Sequence, residues 1–459
     1  MKKAFLVWSL LLLAVGMSAQ RVYDVTHYGA RGDGMTDDAV AIQRAINACS
    51  EQGGGIVLLP AGHVFLAGPL ELKSGIDLRL EATAVLKANP DEQIYQLSAF
   101  GKNRGEGMLW LWAQDAENIT ISGRGTIHGN GISFMGAELD DSYELKPLQD
   151  PTFDPRPHVL TLTNVSNVVI RDVTITEGAY WTVHLVGCNG ALIDGIQLLN
   201  NLKIRNGDGI DLDHSRNVRI SNCYITSGDD CICLKNRRET EQYGPCHDIV
   251  VTNCVMASRS CAIKIGSENM DSIYNVLFDN CIITRSNRGL GIQNRDEGTV
   301  SNITFSNIQM DCRLWSDVWW GKAEPIYVTS YPRASGNHKD QNWRFPKGQT
   351  EGRCGEVSHI RFNNITATSE NGCFIGGDTP DKVNHVYLNN VVLSMRKTTD
   401  YKGGQYDKRP CKGEGFVAGA VHGLYVEQAA DVVVRDFSVD WGSNPFPGKG
   451  RDQFFQGRD

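Results

Sequence analysis

Two segments hold the residues whose types and spacing can do chemistry: Asn206-Gly-Asp-Gly-Ile-Asp-Leu-Asp213 and Ser227-Gly-Asp-Asp-Cys-Ile-Cys-Leu-Lys235. Each is a short alternating strand entered through glycine, with carboxylates at the entry. Side by side in a sheet they bring Asp208, Asp229 and Asp230 together. Clustered carboxylates suit acid/base work on a glycosidic bond, which needs one protonated carboxyl at the leaving oxygen and one ionised partner. Crowding like charges raises the pKa of at least one member.

The rest of the chain must supply that juxtaposition, and it does so by repetition. The copies are Asn167–Asp172, Asn217–Asn222, Asp248–Asn253, Asn275–Asn280, Asn302–Asn307, His359–Asn364, His385–Asn390 and Asp431–Asp436, with weaker ones near Gly75 and Asn118. Several starts lie about 27 residues apart, the period of stacked units. The units carry alternating apolar patterns and polar turns with no helical stretch between them. The expected fold is all-β, a parallel β-helix, rather than a helical solenoid. Asn222, Asn253, Asn280, Asn307, Asn364 and Asn390 share one register position, where amides can bond up a column.

Matching apolar pairs superimposes Val183/Leu185, Ile210/Leu212, Ile232/Leu234, Ile263/Ile265, Leu290/Ile292 and Ile326/Val328. Two positions before each pair the column reads Trp181, Asp208, Asp230, Cys261, Arg288, Glu324. The middle position reads His184, Asp211, Cys233, Lys264, Gly291, Tyr327. The position after reads Val186, Asp213, Lys235, Gly266, Gln293, Thr329. Strict alternation points Asp208 and Asp230 inward, so the neighbouring glycines must bend the strand entries and turn them out. Trp181 then offers an aromatic platform for a sugar ring, with Glu324 in the same column and His184 in the adjoining one. Lys264, Arg288 and Lys235 suit a sugar carboxylate.

Residues Met1–Ala19 read as a secretory leader: two lysines, an apolar run from Ala4 to Val15, then small residues. That run is short for a membrane span, and an exported, periplasmic or extracellular protein is expected, with residues 20–459 as a single catalytic domain. A formal charge of -8 argues against general nucleic-acid binding. Thr36 is a candidate N-cap for a helix in which Ile42, Ala45, Ile46 and Cys49 recur at helical spacing, placed to close the open apolar end of the solenoid. Of 13 cysteines, Cys223, Cys254 and Cys281 fall in one column and read as core residues. Cys231 and Cys233 share a strand face in this reading but lack a second pair at metal-ligand spacing. Inserts at 131–158, 311–358 and 395–425 break the period. The middle one, with Trp315, Trp319, Trp320, Lys322, Arg333, Trp343 and Arg344, is expected to help wall a groove.

Asn206-Gly-Asp-Gly209, Ser227-Gly-Asp-Asp230 and Ile263-Lys-Ile-Gly-Ser267 resemble the motifs of glycoside hydrolase family 28, the polygalacturonase and rhamnogalacturonan hydrolase family. The segment Gly29–Pro60 resembles the N-terminal cap of pectin-degrading β-helix enzymes. The resemblance implies a right-handed parallel β-helix and a hydrolase of galacturonic-acid-containing pectic polysaccharide that inverts the anomeric centre. It assigns Asp229 as general acid and Asp208 and Asp230 as the pair that activates water, and it implies no metal and no cofactor. Two departures stand out. The family's Gly-His-Gly is here Ser260-Cys261-Ala262, and its Arg-Ile-Lys is here Gly291-Ile292-Gln293. Rhamnogalacturonan hydrolases of the family also lack that histidine. Two readings from other classes compete: a calcium-dependent β-helix lyase, whose metal an aspartate cluster would hold, and a glycan-binding β-helix without turnover.

Overall fold

The structure is a computed structural model and describes residues 21–100, 107–138, 145–147, 155–333, 352–442 and 448–456. The leader at Met1–Ala19, together with Trp343 and Arg344, lies outside the described residues. Twelve parallel strands form one face, running in order from Leu70–Glu71 through Met108–Gln114, Pro157–Thr163, Val183–Val186, Ile210–Asp213, Ile232–Asn236, Cys261–Asn269, Arg288–Asn294, Ile326–Ser330, Cys373–Gly377 and Leu424–Glu427 to Gln453–Phe455. We call it the front sheet. Two further ladders complete each coil, and they fuse at Ile273–Ser286, which runs unbroken along both. This is the expected parallel β-helix.

The core is a set of vertical columns. Val183, Ile210, Ile232, Ile263, Leu290 and Ile326 superimpose in the front sheet, each almost wholly buried. Burying each such side chain contributes roughly 2 kcal/mol. Behind them Phe278, Phe305 and Phe362 stack with ring centroids 5.0 Å apart. Cys223, Cys254 and Cys281 join the core as expected, and all 13 cysteines are buried free thiols. Cys231 and Cys233 do not share a face. Cys231 precedes the strand and turns into the core, whereas Cys233 alternates with Ile232 and Leu234 and stands outside it. The copy missed by pattern matching is Asn189–Asp194, which pairs between Ser166–Arg171 and Arg216–Ser221. Its Gly190 and Ala191 dilute the apolar pattern.

Amides line the outer corner. Asn253 donates to Asn222, Asn364 to Asn307 and Asn390 to Asn364, the last two at 3.0 Å. The column breaks once, where Asn307 donates to Asp279 instead of Asn280. These asparagines have φ near +55°, a left-handed turn that asparagine tolerates better than other side-chain-bearing residues. The helix spans Ala39–Glu51, two residues later than a Thr36 cap implies. Thr36 belongs to an extended segment and bonds Asp33, while Asp37 accepts the Ala39 N–H at 2.8 Å. The predicted apolar stripe, Ile42, Ala45, Ile46 and Cys49, is buried against the first coils. Among the described residues no helix is long and apolar enough to cross a membrane.

Replacing Asn364 with Ala removes two ladder bonds and leaves at φ +56° a residue that tolerates the left-handed region less well than asparagine. Thermal or urea unfolding should show a loss of about 1–2 kcal/mol, with Asn364→Gly recovering part of it.

Candidate active site

The front-sheet register sets every candidate in place. His184, Asp211, Cys233, Lys264, Gly291 and Tyr327 pair in successive strands as the apolar alignment predicts. Asp208 and Asp230 precede their strands by two residues and turn outward. Asp230 Oδ2 lies 2.7 Å from Lys264 Nζ, and Asp208 Oδ2 lies 4.0 Å from Lys235 Nζ. Glycine makes the bend possible. A β-carbon at Gly209 would come within 2.4 Å of the Cys231 carbonyl, and one at Gly228 within 2.2 Å of the Ile204 carbonyl.

Asp208, Asp229 and Asp230 each offer an oxygen within 4.8 Å of the other two. Asp229 is the least enclosed member. Burial and the adjacent Asp230 raise its carboxyl to about 6, against the pull of Lys264 and Ser260. Burial, then Asp211 and Asp229, push Asp208 well above the carboxylate range. Burial opposes the Lys264 charge, but Asp230 outweighs it and the net shift is upward. The cluster therefore holds protons near neutrality beside a carboxylate paired with an ammonium. Asp208 Oδ1 and Asp230 Oδ1 have no hydrogen-bond partner within the protein, which leaves them as acceptors for water or a hydroxyl. The three aspartates are also the group that could hold a divalent cation, although Lys264 and Lys235 already bring two positive charges to it.

Asp211 joins this set, although the sequence reading left it outside. It is fully buried, bonds Lys235 Nζ at 2.8 Å, and is raised by burial to about 7. Its place in the Lys264 column was the available signal. Five expected substrate contacts, Trp181, His184, Lys235, Arg288 and Glu324, are covered instead. The Trp181 ring carries Lys235 Nζ 3.7 Å from its centroid, so that face is not an open sugar platform. His184 is 1% exposed, edge-on to Trp181 and 3.4 Å from Asp213. Glu324 is enclosed and accepts from Arg288, Lys322 N and Asp407 N. Arg288 lies between Glu324 and the Tyr327 ring and donates to the Asp407 carbonyl. Insert residues enclose Glu324 and Arg288, whereas Phe100, His158 and Lys235 enclose Trp181 and His184, contacts that no local pattern reveals.

The inserts do wall the groove. Gly321 N donates to Asp407 Oδ2, and Lys402 N to Asp317 Oδ1 at 3.0 Å, tying two insert segments together. Trp320, 41% exposed, faces a cavity with Ser260, Cys261, Lys264, Arg288, Gly291, Gln293 and Tyr327. The two motif departures meet here: a β-carbon on Gly291 would lie 2.7 Å from Cys261 Sγ. Gln293 donates to the Arg409 carbonyl.

The fold and site together are a parallel β-helix with an aspartate cluster on one sheet, and sequence comparison assigns the family. Residues 49–313, more than half of the chain, match glycosyl hydrolases family 28, and the chain belongs to that family, among the glycoside hydrolases. A probable polygalacturonase of Vitis vinifera is 28% identical over 63% of this chain and 60% of its own length. The chain thus spans less than two thirds of that relative. An endo-polygalacturonase of Pectobacterium carotovorum subsp. carotovorum is 27% identical over 79% of this chain and 85% of its own. The family 28 exopolygalacturonase of Yersinia enterocolitica shares the fold with a TM-score of 0.67 and 20% identity, over 96% of this chain and 79% of that one.

A carboxyl raised in the folded state binds its proton more tightly than in the unfolded chain, so stability falls as pH climbs from the unfolded value near 4 to about 6. Asp229→Asn should therefore be more stable than wild type at pH 7, by about 2 kcal/mol, with the gain vanishing below pH 4. Denaturant unfolding at several pH values measures it.

Proposed function

We propose that this chain hydrolyses α-glycosidic bonds in a galacturonic-acid-containing pectic polysaccharide, with residues 20–459 acting as one catalytic β-helix. The observation that carries the reading is the cluster Asp208, Asp229 and Asp230, gathered within 4.8 Å and faced by Lys264 and Lys235. Family membership supports glycoside hydrolysis. The names of the grape and Pectobacterium relatives support a pectic substrate, and the Met1–Ala19 pattern supports export to the periplasm or beyond.

In this reading Asp229, protonated near its raised pKa, gives its proton to the departing glycosidic oxygen. Asp208 and Asp230 hold a water through their free oxygens, and Asp230, paired with Lys264, takes its proton as it attacks the anomeric carbon. The carbon–oxygen bond to the leaving sugar breaks while that to the water oxygen forms, on the opposite face. The short separation of the carboxyls on its own fits retention. With three carboxyls, two can share the water while the third serves the leaving group, so inversion is the outcome we assign. Ser260-Cys261-Ala262 and Gly291-Ile292-Gln293 lack the cations and the histidine that would hold a uronate beside the scissile bond, so rhamnogalacturonan belongs beside polygalacturonan as a substrate. A lyase would need a calcium ion and a basic proton abstractor. Among the described residues, the cations at the cluster are ion-paired with it.

Purified protein is expected to release reducing ends from one of these two backbones, with no product absorbing as an unsaturated uronate and no loss on adding a chelator. Asp229→Asn should lower kcat about 10²–10⁴-fold on the polymer, and much less on an aryl glycoside whose leaving group needs no proton. Proton NMR of the first product should show the inverted anomer. Unsaturated product, or a chelator-sensitive rate, would replace hydrolysis with elimination. Binding without turnover would favour a glycan-binding module.

A further inference from the structure

The front sheet differs on the two sides of the aspartate cluster in the coils that adjoin it. On the C-terminal side Lys264 and Ser260 are partly exposed and Trp320 stands in solvent, with Arg288, Gln293 and Tyr327 enclosed beyond them. On the N-terminal side the groove-facing residues of the two preceding coils are sealed. Thr161, His158 and His184 are each no more than 2% exposed, and Trp181 is 7% exposed.

The seal is a layered stack of rings and cations. Lys235 Nζ sits between the Trp181 ring, 3.7 Å from its centroid, and Asp211 Oδ1 at 2.8 Å. Phe100 packs edge-on against Trp181 and His158, with centroids 5.3 Å apart in both pairs. The Arg237 guanidinium covers Phe100, 3.9 Å from its centroid. His158 stacks on Tyr180 at 5.2 Å. Coils rise about 4.8 Å each, so this barrier begins one coil from Asp208. A glycan lying along the groove meets it within about one sugar of the carboxylates. Cation–ring contacts are stronger when shielded from water, and several together keep the barrier closed.

We infer that the groove is closed on the Trp181 side, and that the protein takes its glycan by one end and removes terminal sugars singly. The inference rests on the hydrolase reading above. Phe100, Trp181, Lys235 and Arg237 are then the specificity-determining residues, since they stop the chain from threading past the cluster.

The test uses pectic octasaccharides of both backbones, each carrying a bulky fluorophore at one terminus or at the other. Binding to Asp229→Asn and cleavage by wild type are both followed. A closed groove makes one label cost about tenfold or more in affinity, while the other is tolerated. Cleavage then yields products that change by one sugar at a time, as a stepwise ladder or as immediate release of a single labelled sugar. Phe100→Ala should add longer fragments to the early products. Equal tolerance of both labels, or fragments of all sizes at the outset from wild type, would overturn the closed groove. End-selective binding without any cleavage would sustain the closed groove and sink the hydrolase reading. No binding and no cleavage would sink both.

Discussion

Everything on the front face depends on the vertical register of the inward column Val183, Ile210, Ile232, Ile263, Leu290 and Ile326. A slip of one residue in any coil would expose an aliphatic side chain and bury its neighbour, and with period two it would move every later side chain to the wrong face. The cost of that error keeps Asp211 beneath Lys235 and Lys264 beside Asp230. Precision at the cluster is thus a by-product of apolar packing on the other side of the same strands.

The cluster is the place where this order is expensive. Four carboxyls gather where packing alone would favour none of them, and two lysines supply only part of the compensation. Glycines at 209 and 228 let the main chain approach closely enough to turn two of the aspartates outward. The raised carboxyls that follow are a feature suited to proton transfer, and they are bought with stability.

Much of this was legible in the chain because a repeat is redundant. The columns could be read from matched apolar pairs, and each expected pairing from His184 to Tyr327 appears in the sheet. The outward turn of Asp208 and Asp230 was legible through the flanking glycines. Accessibility was not. Glu324, Arg288 and His184 stand in the expected columns but are covered by side chains from distant coils and inserts, Asp407 lying 83 residues from Glu324. Phe100 and Arg237 carried no repeat signature at all. The helix start was displaced because Asp33 and Asp37, rather than Thr36, accept the free main-chain N–H groups.

The single interruption of the outer amide column, between Asn280 and Asn307, coincides with the coils in which two ladders fuse into one long strand. In a solenoid each layer is held only by its neighbours, and here the main-chain ladder between Ile273–Ser286 and Val300–Cys312, with the Asn307 bond to Asp279, still joins the two stacks. The Phe278, Phe305 and Phe362 rings reinforce that joint from within, and the two blocks behave as one rod.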